Sequence, residues 1–319
     1  MKKFWALCLA AFVAGGALAY AEDSYNPEKM ADLFYKLNAD PKNPKQKVNH
    51  AKGFCAVGVF EPARGITNKI DVPLLNEKSI PTSVRFSLGG AIMSDKSEPR
   101  GMALKMQGKN GESWTMAMLN FEIIFAKNPQ EFAQFLEMQI PGKMTKEEIA
   151  KLNAEVDSYK KFGEYVKDIG ITPSVANTAY YSAHTFMFKD KATGKSVPAR
   201  WKFVPQDGVK YLTESELKEV GDDFLVENFQ TAIKTAPVAY KMYLVYPNDG
   251  DATDDVTALW RGAHKELLVG ELKVQKYEGM DCNGDVYLPS DLPAGVGAPN
   301  DPLFQLRSET YGVTFGRRQ

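Results

Sequence analysis

Histidine and cysteine are scarce in this sequence of 319 residues, which contains three of each. The cysteines form no C-x-x-C pair, and His50, His184 and His264 lie far apart along the chain. A zinc site needs several such ligands at short spacings. Any metal in this protein therefore has to be held in some other way.

An excess of positive charge is also missing. The chain has 39 Lys and Arg residues against 40 Asp and Glu, which gives a net charge of −1. Because no overall positive field attracts a nucleic-acid backbone, we expect no DNA or RNA partner. With 44% hydrophobic and 25% charged residues, the composition is that of a soluble globular protein and excludes a disordered or multi-span membrane protein.

The N-terminal apolar run is too short to span a bilayer. It extends from Phe4 to about Val13, follows Lys2 and Lys3, and leads through small residues to Ala19-Tyr20-Ala21. This order of features predicts a cleavable signal peptide over residues 1–21, of bacterial type. We therefore expect a single domain over residues 22–319 that is exported to the periplasm and not stably inserted in the membrane.

Loss of the signal peptide would remove Cys8 and leave Cys55 and Cys282 as the only thiols. In an oxidising compartment these two cysteines can form one disulfide. Two buried free thiols are the alternative, and the sequence leaves the choice open.

Short segments with alternating apolar residues, separated by Pro and Gly, dominate the rest of the chain. They are rich in Val, Phe, Tyr, Trp and Thr and predict strands, whereas helical periodicity is less frequent. Since strands and helices do not alternate regularly, we expect an α+β fold built on an antiparallel sheet or barrel. The predicted strands are 54–60, 82–88, 113–121, 184–188, 200–204, 238–246 and 267–274. The predicted helices are 27–37, 129–138, 145–166, whose weak centre is 153–156, and 215–231.

Two local patterns carry chemistry only in combination. His50 lies directly before an apolar strand, and by itself such a histidine is usually structural. Arg307 and Tyr311 are four residues apart, which places them on one face of a helix. A guanidinium beside a phenol favours the phenolate, which is a suitable ligand for ferric haem iron.

Together and in this order, these patterns resemble the haem catalases, and most closely the short catalase-related peroxidases. The resemblance runs from about Val48 to the C-terminus. Its blocks are VNHAKGFCAVGVFEP at 48–62, PTSVRFS at 81–87, PRGMALK at 99–105, residues 114–139 and HTF at 184–186, with DDVTALW at 254–260 and residues 301–318 closest to the short subfamily.

The resemblance implies an eight-stranded antiparallel β-barrel with helical additions and a haem cofactor of the b type. It further implies a peroxidase that reduces hydrogen peroxide or small organic hydroperoxides through a ferryl intermediate, for antioxidant defence. Catalase activity would be weak at most, and the electron donor is unidentified. We expect a monomer or a small homo-oligomer.

The reacting residues follow from the same resemblance. His50 matches the distal histidine, which takes a proton from one peroxide oxygen and returns it to the other as the O–O bond breaks. Ser87 matches the serine that orients this imidazole. Tyr311 matches the axial ligand of the haem iron, and Arg307 matches its charge partner.

Other matching residues would hold the cofactor. Arg318 and Arg85 match arginines that pair with haem propionates. Lys47 occupies a third cationic position at which the larger enzymes carry arginine, so the charge is kept while the bidentate fork is lost. Phe132 matches a phenylalanine that covers the distal face of the haem.

One position departs from the family pattern. The larger catalases have two adjacent asparagines here, of which the first is catalytic, and a count without gaps from Trp114 to Pro129 places Leu119 at that position. Asn120 follows one step later, and one step along a strand changes the face of the sheet. Asn120 is therefore a catalytic candidate only if a bulge or a shifted turn re-aims its side chain.

Two alternatives to a peroxidase stay open at this point. One is a hydroperoxide-rearranging haem enzyme of the allene-oxide-synthase kind, which shares the same haem frame. The other is a non-catalytic haem-binding barrel, against which His50 argues because a carrier has no use for a distal acid–base group.

Overall fold

A computed structural model describes residues 25–319, so the predicted signal peptide with Cys8 lies outside the described residues. Ten strands and seven α-helices follow one another within this part of the chain. In order, they are α1 (Pro27–Asn38), β1 (Gly53–Pro62), β2 (Ile80–Leu88), β3 (Arg100–Gln107), β4 (Ser113–Leu119), α2 (Pro129–Met138), α3 (Lys146–Glu155), α4 (Asp157–Tyr165), β5 (Tyr180–Tyr181), β6 (Phe186–Lys189), β7 (Ser196–Pro205), α5 (Glu214–Glu219), α6 (Phe224–Ala232), β8 (Val238–Val245), β9 (Glu266–Tyr277), β10 (Val296–Gly297) and α7 (Pro302–Gly316).

Eight of the strands close into an antiparallel barrel, as predicted. They pair in the order β1-β2-β3-β4-β5-β7-β8-β9, and β9 pairs again with β1. The β7–β8 and β8–β9 pairs complete the ring. The remaining strands, β6 and β10, extend the sheet beside β7.

Alternating apolar residues fill the barrel interior. Along β8, the buried side chains are Val238, Tyr240, Met242 and Leu244, and the residues between them are more exposed. A barrel of eight strands has an interior just wide enough for side chains, and Trp114 is fully buried there. The functional cavity therefore lies outside the barrel, where the outer faces of β2, β3 and β4 meet the helices.

Two predicted helices are each split in the structure. The predicted helix 145–166 becomes α3 and α4, because Val156 takes an extended conformation between them. The turn lets the Tyr159 hydroxyl on α4 donate to the Glu131 carbonyl, and the Ser158 hydroxyl donate to the Glu131 carboxylate at 2.6 Å. The predicted helix 215–231 likewise becomes α5 and α6.

Cys55 and Cys282, whose pairing the sequence left open, form a disulfide. The Sγ atoms of Cys55 and Cys282 are 2.07 Å apart, and their Cα atoms are 5.7 Å apart. Cys55 lies in β1, and Cys282 lies in a short 3-10 turn, Asp281–Gly284. None of the helices in residues 25–319 combines the length and the apolar character that crossing a membrane requires.

Candidate active site

A cavity of about 820 Å³ lies between the outer face of the barrel and helices α1, α2, α4 and α7. This volume falls within the range of pockets that hold a small molecule or cofactor. Every site residue predicted from the sequence lines it except Asn120. The lining residues among those predicted are Lys47, His50, Arg85, Ser87, Phe132, Arg307, Tyr311 and Arg318.

The His50 imidazole is held in the cavity wall by its neighbours. Its Nδ1 is 3.0 Å from the Ser87 Oγ on β2. The backbone of His50 is left-handed, with a φ of 56°. The Asn49 side-chain oxygen accepts hydrogen bonds from the His50 and Gly90 amides at 3.0 and 2.8 Å, which fixes this turn.

Gly101 leaves the space in which the imidazole lies. A β-carbon on Gly101 would approach the Ser87 Oγ to 2.7 Å and the His50 ring to 3.0 Å. Such contacts are shorter than real side chains show, so any larger residue on β3 would displace the ring. The site therefore requires glycine at this position of the PRG block for steric reasons.

Electrostatics keeps this imidazole neutral. Burial, followed by the positive charges of Arg85 and Arg307, lowers the pKa of His50 to about 3. Because Ser87 engages Nδ1, the second ring nitrogen is left for a ligand in the cavity. A neutral imidazole in this position can accept a proton near neutral pH.

Another part of the wall comes from α7, which begins at the N-cap residue Asp301. As the four-residue spacing predicted, Arg307 and Tyr311 lie on one face of this helix. The Arg307 Nη2 is 3.5 Å from the Tyr311 hydroxyl, and it also donates to the Ala117 carbonyl at 3.0 Å. The guanidinium thus lies beside the Tyr311 hydroxyl at the cavity lining.

His184 also lines the cavity, and its buried partner was not predicted from the sequence. Its Nδ1 lies 2.7 Å from an Asp301 carboxylate oxygen, and both side chains are almost fully buried. Burial lowers the pKa of His184 despite this carboxylate. Its Nε2 has no hydrogen-bond partner among the described residues. The pair anchors the start of α7 to the barrel.

Three positive side chains, Lys47, Arg85 and Arg318, form what we call the cation cluster. The hydrogen bonds they make go to neutral oxygens: Lys47 and Arg318 donate to the Asp285 carbonyl, and Arg85 donates to the Asn283 side chain. Burial and the neighbouring charges of Arg318 and Arg85 lower the pKa of Lys47 to about 7. Burial also lowers the pKa of Arg85 to about 10. These cations therefore favour an anionic ligand.

The cavity has the chemistry that haem requires. A buried cation cluster whose hydrogen bonds end on neutral oxygens suits two propionates. The Tyr311 oxygen beside Arg307 suits ferric iron. Phe132, whose ring centroid is 4.8 Å from that of Phe125 and 6.2 Å from that of Phe34, provides an apolar wall for a flat ring.

Asn120 does not join these residues. The β3–β4 register is regular, pairs Gly101 with Leu119 and contains no bulge that re-aims the next side chain. Leu119 therefore faces the cavity. The Asn120 amide instead donates to the Glu98 carboxylate at 2.9 Å, and its oxygen accepts from the Arg100 amide at 2.9 Å. The structure places Asn120 in a structural hydrogen-bond network outside the cavity wall.

Sequence reasoning missed the residues that support the site through their backbone or through lack of bulk. Asp285 accepts hydrogen bonds through its carbonyl oxygen, and Gly101 leaves room for the His50 ring. Residue type carries no signal for such roles. The Asp301–Pro302 start of α7 is an N-cap pattern that could have pointed to the helix.

Comparison with known proteins agrees with this geometry. The family model described as catalase matches residues 38–318. A catalase-related peroxidase from Synechococcus elongatus is 29% identical over 329 residues, which cover 99% of this chain and 96% of that protein. Another from Mycolicibacterium paratuberculosis is 22% identical and covers 85% of this chain and 88% of that protein.

The fold is similar to those of larger solved proteins. Catalase A from Saccharomyces cerevisiae superposes with a TM-score of 0.77 at 20% identity. The match covers 87% of this chain and 62% of the yeast chain. A bacterial catalase structure gives a TM-score of 0.74 at 20% identity.

Proposed function

Because this chain belongs to the catalase family, we propose that it is a haem-dependent peroxidase that reduces hydrogen peroxide and small organic hydroperoxides. The observation that carries this proposal is one cavity whose lining contains both the His50–Ser87 pair and the Arg307–Tyr311 pair. Relatives named catalase-related peroxidases, matched over most of their length, support a peroxide-acting oxidoreductase.

Haem would be held by residues from both ends of the chain. The Tyr311 oxygen would bind the iron, with Arg307 as its charge partner, and the cation cluster would pair with the propionates. Bound in this way, haem of the b type supplies an iron centre that exchanges electrons with the peroxide O–O bond.

His50 moves the proton. Its neutral imidazole accepts the proton of the peroxide oxygen that binds, and returns it to the oxygen that leaves as water or alcohol. In the tautomer that this step uses, Nδ1–H donates to the Ser87 Oγ, 3.0 Å away, and the other ring nitrogen is unprotonated and faces the substrate. The low pKa of His50 keeps it in the proton-accepting form.

Leu119 decides between peroxidase and catalase turnover. Catalase turnover needs a second hydrogen peroxide to be bound and oriented as a reductant. Leu119 faces the cavity and has no hydrogen-bond donor, and Asn120 is committed to Glu98 and Arg100. We therefore expect oxygen release to be feeble compared with oxidation of an external electron donor.

The test measures the peroxidase activity of hemin-reconstituted wild-type and variant proteins. Each protein is assayed with hydrogen peroxide and with cumene hydroperoxide, in the presence and in the absence of an aromatic electron donor. Wild-type protein should oxidise the donor with both peroxides. His50→Ala should lower this rate by about 10²- to 10⁴-fold, the range for loss of a general acid–base group. Ser87→Ala should cause a smaller loss.

His264 supplies the matched control, because its imidazole pairs with Asp251 away from the cavity. His264→Ala should keep the wild-type rate. Full peroxidase activity in His50→Ala would contradict the proposed proton transfer. Donor-independent conversion of a lipid hydroperoxide into a rearranged product would instead favour the rearranging haem enzymes.

We propose that the protein works in the periplasm. The signal-peptide pattern over residues 1–21 supports export, and the Cys55–Cys282 disulfide supports an oxidising compartment. Fractionation of bacterial cells should recover a chain that starts near residue 22 in the periplasmic fraction. A full-length chain in the cytoplasmic fraction would contradict this localisation.

A further inference from the structure

We propose that the Cys55–Cys282 disulfide positions the cation cluster for the haem propionates, by clamping the backbone segment that holds all three cations. We call residues 281–285 the clamp segment. The inference rests on the proposed function, because it takes the cation cluster to bind a haem carboxylate.

The clamp segment accepts hydrogen bonds from three cationic side chains that come from distant parts of the chain. The Asn283 side-chain oxygen accepts from the Arg85 Nε at 3.1 Å, and the Asn283 carbonyl accepts from the Arg318 Nη1 at 3.0 Å. The Asp285 carbonyl accepts from the Lys47 Nζ at 2.7 Å and from the Arg318 Nη2 at 3.4 Å. One short segment therefore sets the spacing of the whole cluster.

The clamp segment has little other attachment to the barrel. Within residues 281–286, only Cys282 is buried, at 8% exposure. The backbone hydrogen bonds that Asp281, Asn283 and Asp285 donate stay local, to Glu278, Met280 and Cys282. The fixed point is Cys282, whose sulfur is bonded to Cys55 and whose amide lies 3.0 Å from the Cys55 Sγ.

Cys55 is a rigid anchor for this tie. It is 1% exposed and lies in β1, which is paired with β2 on one side and β9 on the other. The neighbouring backbone adds two bonds, from the Cys55 amide to the Gly279 carbonyl and from the Glu278 amide to the Cys55 carbonyl. The disulfide thus connects the clamp segment to the middle of the barrel sheet.

The cluster needs such a tie because its members repel one another. The Lys47 and Arg85 side chains are both disfavoured as cations by burial and by the other charges of the cluster. If the clamp segment moves, the three side chains are free to separate and to turn toward water. The carboxylates of a ligand would then meet fewer fixed cations.

The test titrates the apoprotein with hemin and with hemin dimethyl ester, in which both propionates are neutral, and follows the Soret band. Wild-type protein should bind hemin more tightly than the ester. The double variant Cys55→Ser, Cys282→Ser should bind hemin about tenfold more weakly, the loss expected for weakened charged hydrogen bonds. Its affinity for the ester should stay within about twofold of wild type on the same reasoning.

Asn283→Ala provides a second variant, because it keeps the disulfide and removes only the side-chain acceptor of Arg85. It should shift the preference for hemin in the same direction by about threefold, even if the double variant does not fold. Val238→Ala, a buried barrel change away from the cavity, should lower the melting temperature and leave the hemin-to-ester preference unchanged.

Equal losses for hemin and its ester in the cysteine variant would mean that the disulfide only stabilises the fold, and would overturn the inference. An unchanged hemin affinity in both the cysteine variant and Asn283→Ala would also overturn it. If the wild-type protein binds neither ligand, the proposed function itself fails. The ester comparison therefore distinguishes failure of the clamp from failure of haem binding.

Discussion

The left-handed backbone of His50 is uncommon for a residue other than glycine and costs about 1–3 kcal/mol where it occurs. The cost is offset by Asn49, whose side chain fixes the turn with two hydrogen bonds. Ser87 and Gly101 then determine the direction of the ring. The orientation of the His50 ring therefore depends on these three neighbours.

The replacement Leu119→Asn should raise oxygen release from hydrogen peroxide by about tenfold. Leu119 faces the cavity at the end of β4, and an asparagine there adds one hydrogen-bond donor with little change in volume. A bond of this kind is worth about 1 kcal/mol, or somewhat more with a charged partner. Oxygen-electrode rates per bound haem provide the measurement, and oxidation of an electron donor should change little.

Asn120→Ala is the matched change one position along the chain. It removes two hydrogen bonds from a buried network and should lower the free energy of unfolding by about 1–3 kcal/mol without a selective loss of peroxidase rate. A large drop in rate at unchanged stability would show that Asn120 acts on the substrate.

Peroxide reduction should be insensitive to mild acid. Burial, with Arg85 and Arg307, lowers the pKa of His50 to about 3, so the neutral form persists between pH 7 and pH 5. A histidine with an ordinary pKa of about 6.5 would lose roughly 25-fold of its neutral form over the same interval. Stopped-flow rates at the two pH values should agree within about twofold, and a 25-fold fall at pH 5 would contradict the environment described for His50.

At the scale of elements, helix α1 forms part of the cavity wall. It packs against α7 and brings Met30, Phe34 and Leu37 to the lining. The Arg317 guanidinium that follows α7 donates to the α1 carboxylates Glu28 and Asp32 at 2.6 and 2.8 Å. The carboxylates are about two-thirds exposed, so solvent weakens these ion pairs.

Met30→Ala should therefore loosen the haem more than Arg317→Ala does. Met30 is 2% exposed, and removal of its side chain should cost about 2–5 kcal/mol of stability. The exposed ion pairs of Arg317 contribute at most about 1 kcal/mol each. Haem transfer to excess apomyoglobin should be severalfold faster in Met30→Ala. Equal haem transfer rates in the two variants would mean that the ion pairs with Arg317 hold α1 in place as strongly as its apolar face does.

The elements that the sequence predicted well are those with a strong local pattern. The alternation in β8 and the four-residue spacing in α7 survive folding unchanged. The strand β3 was not predicted, because its glycine and alanine are weak strand formers and only its neighbours β2 and β4 specify it. The break at Val156 falls in the weak centre of the predicted helix, residues 153–156, whereas the direction of α4 after the break depends on contacts with α2, which no local pattern contains.

The site also contains residues that were predicted from the sequence and residues that were not. His50, Ser87, Arg307 and Tyr311 were reached through the family resemblance, and the structure brings them to one cavity. The placement of Asn120 depended on strand register, which the sequence could not fix. The sequence left the disulfide of the clamp segment as one of two alternatives, but the contacts of the segment with the cations were not predicted, because most of them go to carbonyl oxygens, which carry no residue type.

On the scale of the whole molecule, the barrel supports the site, and the cavity lies against the outer face of the barrel. The interior is filled with buried apolar side chains, and the cavity forms where α1, α2, α4 and α7 cover the outer face of β2, β3 and β4. His50 and Tyr311 lie far apart in the sequence, and the fold brings both to the lining of this cavity. Loss of the fold should therefore abolish both haem walls together.

The most direct test of a tyrosine-ligated haem enzyme is the hemin titration of wild-type protein and Tyr311→Phe, followed at the Soret band. Wild-type protein should take up one hemin and give the spectrum of ferric haem with a phenolate ligand. Tyr311→Phe should bind hemin at least about tenfold more weakly and with a shifted band. An unchanged spectrum and affinity in Tyr311→Phe, or a wild-type protein that takes up no hemin, would contradict the assignment.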